Sequence, residues 1–218
     1  MRTNTNALFV IAVIMALGLT ACASEGDVIG ATSPANTTAP SEPNTGQTIA
    51  GQAPTARDGS PTVIILIPRD PEDFPVPTDP VVIDQLGMAF LPPVLLAQIS
   101  QPVHFRNSED VLHNVRVYNI DTQETAFNIS TPIGGVYEHR FDQAGTYRVA
   151  CDIHSDMGAS VIVTTTPYTA VAERDGSFIL SELRPGSYTA IVHAGTTRTE
   201  QLIEIDPSTT TLTLTDGG

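Results

Sequence analysis

Gly145-Thr146-Tyr147-Arg148-Val149-Ala150-Cys151 has the alternating pattern of a β-strand that begins at a glycine. Because side chains alternate between the two faces of a strand, Tyr147, Val149 and Cys151 share one face. The alternation therefore points Cys151 into a protein core at the end of the strand. Residues 159–163 form a second apolar run, so the loop between the two strands is short and firmly held.

The chain after residue 60 repeats this pattern, with short apolar runs separated by Gly, Pro and Asp turns and no helical period. The predicted strands lie at 62–67, 81–83, 102–105, 145–151, 159–163, 169–172, 177–180, 188–192, 203–205 and 212–214. We therefore predict an all-β fold, with one β-sandwich domain over residues 61–166 and a smaller β-sandwich segment over residues 167–218.

The loop after Cys151 contains a compact set of metal-binding side chains. His154 and Met157 follow Cys151 at positions +3 and +6, and His113 lies 38 positions before it, in a chain with only 5 His and 4 Met. A thiolate, two imidazoles and a thioether are the ligand set of a blue-copper site, in which the thioether forms a long axial bond. We predict that these four residues bind one copper ion. Zinc also accepts Cys and His and is the alternative metal, although a thioether favours copper.

The N-terminus predicts secretion and lipidation. Arg2 precedes an uncharged, mostly apolar run at 7–19, which is too short for a permanent membrane span. The run ends in Leu19-Thr20-Ala21-Cys22, which resembles a bacterial lipobox. We predict a signal peptide over residues 1–21 and a lipid anchor on Cys22. Ordinary signal cleavage that leaves Cys22 unmodified is the alternative.

Residues 22–60 are rich in Ser, Thr, Pro, Gly and Ala and are expected to form a flexible tether between the lipid anchor and the folded part of the chain. The predicted location is therefore the bacterial cell envelope, on a membrane, facing the periplasm or the cell exterior.

The number of cysteines and the net charge exclude some classes of function. If Cys22 carries lipid, Cys151 has no disulfide partner in the chain, and metal ligation explains an unpaired thiol in an oxidising compartment. The chain has 24 acidic and 10 basic residues and a net charge of −14, which argues against nucleic-acid binding and is compatible with a basic redox partner. The sequence has no Ser-His-Asp arrangement and no phosphate loop, so we do not expect an enzyme.

The predicted ligand segments resemble those of the cupredoxins, the plastocyanin/azurin family of copper proteins. The Cys-x₂-His-x₂-Met spacing is similar to the short ligand loop of amicyanin. Phe105-Arg106-Asn107-Ser108 followed by His113-Asn114-Val115 is similar to bacterial plastocyanin-like proteins, some of which are called methylamine utilization proteins. This resemblance covers about residues 60–166 and implies a Greek-key β-sandwich.

The same resemblance implies a role for each site residue. His113 and His154 would supply the two imidazoles, Cys151 the thiolate and Met157 the axial sulfur. Asn114 matches the position whose side chain ties the two ligand-bearing segments together in this family.

The C-terminal segment has a resemblance of its own. Asp175-Gly176-Ser177-Phe178 and Pro185-Gly186-Ser187-Tyr188 are similar to the carboxypeptidase regulatory-like, transthyretin-like β-sandwich. At about 50 residues the segment is short for such a domain. We therefore expect it to share the core of the preceding domain and to borrow the strand at 62–67.

Taken with the predicted anchor, the resemblance implies a monomeric, membrane-tethered, one-electron copper carrier that exchanges electrons with a redox protein. One departure concerns docking: Ser155 and Asp156 follow His154, whereas amicyanin has Pro and aromatic residues around this His. Two alternatives are a copper-binding or storage module without a redox partner, and a β-sandwich lipoprotein that binds or adheres without a metal.

Overall fold

The computed structural model of the protein describes residues 46–216, and the regular structure in this range consists of sixteen β-strands. The prediction of an all-β chain without helical segments is confirmed for this range. No helix in the described residues is long and apolar enough to cross a membrane. The predicted signal peptide, Cys22 and residues 22–45 of the predicted tether lie outside the described residues.

Seven strands form a β-sandwich that we call the framing domain, because both ends of the described chain contribute to it. Its strands are β1 (Gln47–Gln52), β2 (Thr62–Pro68), β12 (Thr169–Val171), β13 (Ser177–Leu183), β14 (Gly186–Ala194), β15 (Thr197–Ile205) and β16 (Thr211–Thr213). One sheet has the order β13-β1-β16 and the other the order β12-β2-β14-β15. Buried side chains from both sheets, including Ile49, Leu66 and Tyr188, form a core between them.

The other nine strands form the inserted domain, residues 81–164, which interrupts the framing domain between β2 and β12. Its strands are β3 (Val81–Gln85), β4 (Phe90–Leu91), β5 (Val94–Gln98), β6 (Pro102–Asn107), β7 (His113–Asn119), β8 (Thr125–Thr131), β9 (Val136–Arg140), β10 (Gly145–Ala150) and β11 (Gly158–Thr164). The two sheets have the orders β5-β11-β10-β7-β8 and β4-β3-β6-β9. They enclose a second core that contains Phe105, Val115 and Val149.

Strand β1 corrects the tether predicted for residues 22–60. It is the central strand of its sheet and pairs antiparallel with β13 and parallel with β16. Ile49 is fully buried, and Gly51 leaves room for the ring of Phe178, which a Cβ atom at this position would strike. The sequence did not predict this strand because the segment is mostly polar and Ile49 is its one large apolar side chain.

Strand β2 corrects the domain boundary predicted at residue 61. It pairs with β12 and β14 and so belongs to the framing domain, which borrows it as expected. The expected common core is wrong, because each domain has its own core. Both faces of β2 are apolar because each face packs against a different cluster. Ile64 and Leu66 enter the framing core, whereas Val63 and Ile65 join a separate apolar cluster.

That separate cluster connects the two domains, which belong to one compact unit of the chain. Val63 and Ile65 pack with Ile162 from β11 of the inserted domain and with Ile191 from β14. The connection between β2 and β3 is also held in place, since Phe74 packs edge-on against Tyr168 with ring centroids 5.2 Å apart. Apolar contacts therefore support the two segments, between β2 and β3 and between β11 and β12, through which the chain passes from one domain to the other.

In each domain a buried tyrosine, two residues after a glycine, anchors a core strand. The Tyr147 hydroxyl donates to the Gln143 carbonyl at 3.0 Å, and the Tyr188 hydroxyl donates to the Arg184 carbonyl at 2.6 Å. Both rings are buried, and burial raises the pKa of Tyr188 to about 12. This is the tyrosine-corner arrangement of β-sandwiches. In the inserted domain it fixes β10, the strand that leads directly into Cys151.

Candidate metal centre

The predicted metal ligands converge because of the way three strands are arranged. His113 is the first residue of β7, and Cys151 directly follows the last residue of β10. These two strands are antiparallel neighbours, so the start of one lies beside the end of the other. The loop from Cys151 to Met157 then leads into β11, which pairs with the other edge of β10. All four predicted ligands are therefore at one end of the inserted domain.

Three of the four side chains form a compact triangle. His113 Nδ1 lies 3.0 Å from His154 Nδ1, and Cys151 Sγ lies 3.9 Å from His113 Nδ1 and 3.8 Å from His154 Nδ1. The point equidistant from these three atoms is about 2.1 Å from each, close to the roughly 2.0–2.3 Å of metal–nitrogen and metal–sulfur bonds. The donor set thus fits one metal ion held by two imidazoles and a thiolate.

Met157 is placed by the backbone of the ligand loop. Its N–H donates to the His154 carbonyl at 3.1 Å, and its carbonyl accepts from the Cys151 N–H at 3.3 Å. These bonds close the loop into a tight turn. They return Met157 to the same apolar core that contains Cys151, where its side chain is buried. A buried thioether in the same cluster as Cys151 is compatible with a weak axial ligand.

The site is enclosed on most sides. His113 and Cys151 are buried, with exposed fractions of 0% and 3%, whereas His154 is half-buried. His154 is therefore the predicted ligand nearest to solvent.

Glu109 is a site residue that the sequence analysis missed. His113 Nε2 lies 2.7 Å from Glu109 Oε2, so a proton on Nε2 leaves Nδ1 free to bind a metal. Burial raises the pKa of the Glu109 carboxyl, but hydrogen bonds from the Met88 amide and from His113 outweigh it and hold the pKa below its ordinary value. The i, i+4 spacing of Glu109 and His113 was the available signal, but it is a helical signal, whereas Glu109 lies in the bend before β7 and His113 begins that strand.

Asn114 lies between the two ligand-bearing segments. Its Oδ1 accepts from the Asp152 N–H at 2.6 Å and from the Ile153 N–H at 3.3 Å. The same oxygen lies 3.4 Å from Cys151 Sγ. Asn114 is thus joined to three consecutive residues of the ligand loop.

The remaining histidines lie away from the centre. His104 is 3.0 Å from a Glu138 carboxylate oxygen, and His193 is in the framing domain. His139 lies on β9. Its ring packs between Phe127 and Phe141, with ring centroids 4.7 and 4.6 Å away, and burial lowers its pKa.

Comparisons with protein families and with solved structures find several similar proteins. Residues 78–165 match the family described as copper binding proteins, plastocyanin/azurin family. No curated protein matches the chain. Similar solved structures include an amicyanin mutant in its oxidized state, 28% identical over 38% of this chain and 81% of that one, with a TM-score of 0.36. A purple cupredoxin from Nitrosopumilus maritimus is 21% identical over 38% and 98% of the two chains, with a TM-score of 0.35. A copper-containing nitrite reductase from Thermus scotoductus SA-01 is 24% identical over 46% and 26%, with a TM-score of 0.38.

The family match spans the whole inserted domain and all four predicted ligands. This part of the chain is a cupredoxin, a copper-binding domain of the plastocyanin/azurin family, and copper is its cofactor. The protein is therefore a copper-binding protein of the electron-transfer type. The match ends at residue 165, so the carboxypeptidase regulatory-like character of the framing domain stays a prediction.

Proposed function

We propose that this protein is a one-electron carrier that a lipid on Cys22 anchors to a membrane of the bacterial cell envelope. His113, Cys151 and His154 would hold copper in a trigonal plane, and Met157 would supply the axial sulfur. Copper in such a site alternates between Cu(I) and Cu(II), because thiolate and thioether suit Cu(I) and imidazole suits both states. The observation that carries the proposal is the compact triangle of Nδ1, Nδ1 and Sγ atoms.

The surroundings of the ligands support a carrier. His113 is fixed by the Glu109 carboxylate on one side, and the loop that contains Cys151 is fixed by Asn114 on the other. Both segments begin or end in paired strands. Ligands that are held in this way keep one geometry in both oxidation states, so little reorganisation accompanies the transfer of an electron.

An exposed apolar surface surrounds the ligand end of the domain and supports a protein redox partner. Met88, Leu112, Ile133 and Ile153, which define this ligand-end surface, have exposed fractions of 47%, 52%, 65% and 49%. They lie in four different loops at the end of the domain that contains the ligands. Ser155 and Asp156 are polar, so the ligand loop has little apolar surface directly after His154. The apolar side chains of the neighbouring loops provide the apolar contact area for a partner instead.

The loops that form the ligand-end surface are held together by hydrogen bonds. The Met88 N–H donates to Glu109 Oε1 at 3.1 Å, and Asn107 Nδ2 donates to the carbonyls of Val111 and Thr131, both at 2.8 Å. Glu109, Asp110 and Asp156 add negative charge to the same end of the domain. We propose a partner with an apolar patch and a positively charged rim, since opposite charge would speed the encounter.

A visible spectrum of the copper-loaded protein tests the proposed site. We expect the intense copper–thiolate charge-transfer band of a blue-copper site at one copper per chain. Cys151→Ser should abolish the band, whereas His104→Gln, a matched control at a histidine outside the centre, should retain it. A Cu(II) protein without this band, or an equal band in Cys151→Ser, would contradict the proposal.

Two further variants test the partner and the anchor. Leu112→Glu should slow electron exchange with the partner and leave the visible spectrum unchanged, because the side chain is exposed beside the ligands. Cys22→Ser should move the protein from the membrane fraction to the soluble fraction. Unchanged electron exchange or unchanged membrane association would refute the corresponding part of the proposal.

A further inference from the structure

A polar cluster lies behind the metal ligands, on the outer face of the five-stranded sheet of the inserted domain. It consists of Asn114 and Arg116 from β7, Asn128 from β8 and Asp152 from the ligand loop; we call it the Asp152 cluster. Arg116 pairs with Asn128 across β7 and β8, and with Ala150 across β7 and β10. Asp152 follows Ala150 by two residues and so lies on the same face of the sheet.

Both oxygens of the Asp152 carboxylate have partners in this cluster. Oδ2 accepts from Asn128 Nδ2 at 3.0 Å and from Asn114 Nδ2 at 3.3 Å. Oδ1 forms an ion pair with Arg116 Nε at 2.9 Å, in which the N–H is not aligned for a hydrogen bond. Asn114 Nδ2 also donates to Asn128 Oδ1 at 2.9 Å. A single side chain of the ligand loop is thus fastened to two adjacent strands.

The cluster also determines how Asn114 is oriented. An amide side chain has one donor end and one acceptor end. Because the donor end faces the Asp152 carboxylate, the acceptor oxygen faces the loop, where it receives the N–H groups of Asp152 and Ile153. Asp152 is therefore joined to Asn114 twice, through its side chain and through its backbone. Both contacts involve a residue that lies between the ligands Cys151 and His154 in sequence.

We infer that Asp152 is a positioning residue for the metal site. Its carboxylate latches the ligand loop to β7 and β8 and, by orienting Asn114, holds Cys151 and His154 in binding geometry before the metal arrives. The inference rests on the copper site proposed above and adds a residue that the ligand motif does not contain. Hydrogen-bond partners that orient metal ligands typically contribute about 10–100-fold to metal affinity.

Exposure indicates which contacts of Asp152 matter most. The side chains of Asp152 and Arg116 are 45% and 42% exposed, and ion pairs in water contribute little to stability. Asn114 is buried, so the hydrogen bonds that fix its orientation are costly to lose. The latch therefore depends mainly on the two asparagines, and Arg116 has the smaller effect.

The test compares Asp152→Ala with Asp156→Ala in the full chain. Asp156 lies in the same loop and its loss removes the same charge, but it is exposed and has no contact in the Asp152 cluster. In the metal-free protein, exchange of the backbone amide hydrogens at positions 152 and 153 reports whether the loop is held. Competition for Cu(I) with a coloured chelator reports the affinity for the metal.

In Asp152→Ala we expect amide exchange at these two positions to become about tenfold faster or more, and Cu(I) affinity to fall about 10–100-fold. Asn128→Ala keeps the charge and removes one donor to Asp152 and one acceptor for Asn114, so it should shift both measurements in the same direction by less. Asp156→Ala should change neither by more than about twofold. Circular dichroism of each variant checks that the β-fold is intact.

Unchanged exchange and affinity in Asp152→Ala would overturn the inference, and so would equal effects in Asp156→Ala, which would show that charge alone is responsible. The metal-free measurement separates this inference from the proposed function. Faster exchange in Asp152→Ala together with no copper–thiolate band in the unaltered protein would support the latch and refute the electron carrier.

Discussion

A chain that begins at Pro61 should lose the framing domain and keep the inserted one. Residue 61 is where the sequence predicted the first folded domain to begin, and the truncation removes β1. Because β1 lies between β13 and β16, its loss separates these strands and opens one face of the framing core. The inserted domain has no strand that pairs with β1 and should remain folded.

The size of the effect follows from what β1 contributes. Ile49 is completely buried, and loss of such a side chain costs about 2–5 kcal/mol. Five residue pairs join β1 to β13 and three join it to β16, and each backbone hydrogen bond adds about 0.5–1.5 kcal/mol net. Together these contributions exceed about 5 kcal/mol, which is comparable to the whole stability of an ordinary domain, about 5–15 kcal/mol. The framing domain should therefore unfold.

Hydrogen exchange followed by mass spectrometry measures the two domains separately. Chains that begin at Gly46 and at Pro61 would be compared. Protection of β13 and β14 should disappear in the shorter chain, while β10 and β7 keep theirs. Ile49→Ala should weaken protection of the same strands, and Thr48→Ala, an exposed position on the same strand, should leave it unchanged. Equal protection of β13 and β14 in the two chains would refute the assignment of β1 to the framing core.

Three further predictions concern single side chains. Tyr188→Phe removes the hydroxyl that donates to the Arg184 carbonyl, so urea unfolding should show a loss of about 0.5–1.5 kcal/mol; an unchanged midpoint would contradict this. Ile162→Ala should cost about 2–5 kcal/mol, because the side chain packs between the domains. The visible copper band should stay unchanged in this variant, and an altered band would show that the interdomain contact reaches the site. Burial lowers the pKa of His139 from 6.5, so the folded protein binds fewer protons than the unfolded chain just below that pH. The contribution of neutral His139 to stability is therefore complete above about pH 6.5 and falls as the pH drops toward the lowered pKa. The free energy of unfolding in urea should therefore depend less steeply on pH in His139→Phe than in the unaltered protein. An equal dependence on pH in the two proteins would contradict the burial of His139.

The sequence was sufficient to predict the ligand strand and its partner, because both signals there are local. The strict alternation from Tyr147 to Cys151 and the apolar run at 159–163 predict β10 and β11, which the structure contains. The spacing of Cys151, His154 and Met157 predicts that three ligands share one loop. The donor set also suggested His113, but its approach to this loop depends on the pairing of β7 with β10, which no local pattern predicts.

Other features depend on contacts between segments that are distant in sequence. Strand β1 has a mostly polar sequence and becomes a strand because β13 and β16 pair with both of its edges. Glu109 reaches His113 through a turn, which composition does not predict. The ligand-end surface combines side chains from four loops, including Met88 and Ile133, so no single stretch of sequence reveals it. In each case tertiary pairing decides the outcome, and local propensity does not.

The interruption of the framing domain by the cupredoxin has a consequence for the order in which the chain folds. The strands β1 and β2 are synthesised roughly 100 residues before β12, and closing an open loop of that length costs on the order of 4 kcal/mol in chain entropy. If the cupredoxin folds first, that loop is already compact, and the two connections meet where Phe74 contacts Tyr168. The metal-binding domain thus shortens the effective separation between β2 and β12, and variants that slow its folding should delay completion of the framing domain as well.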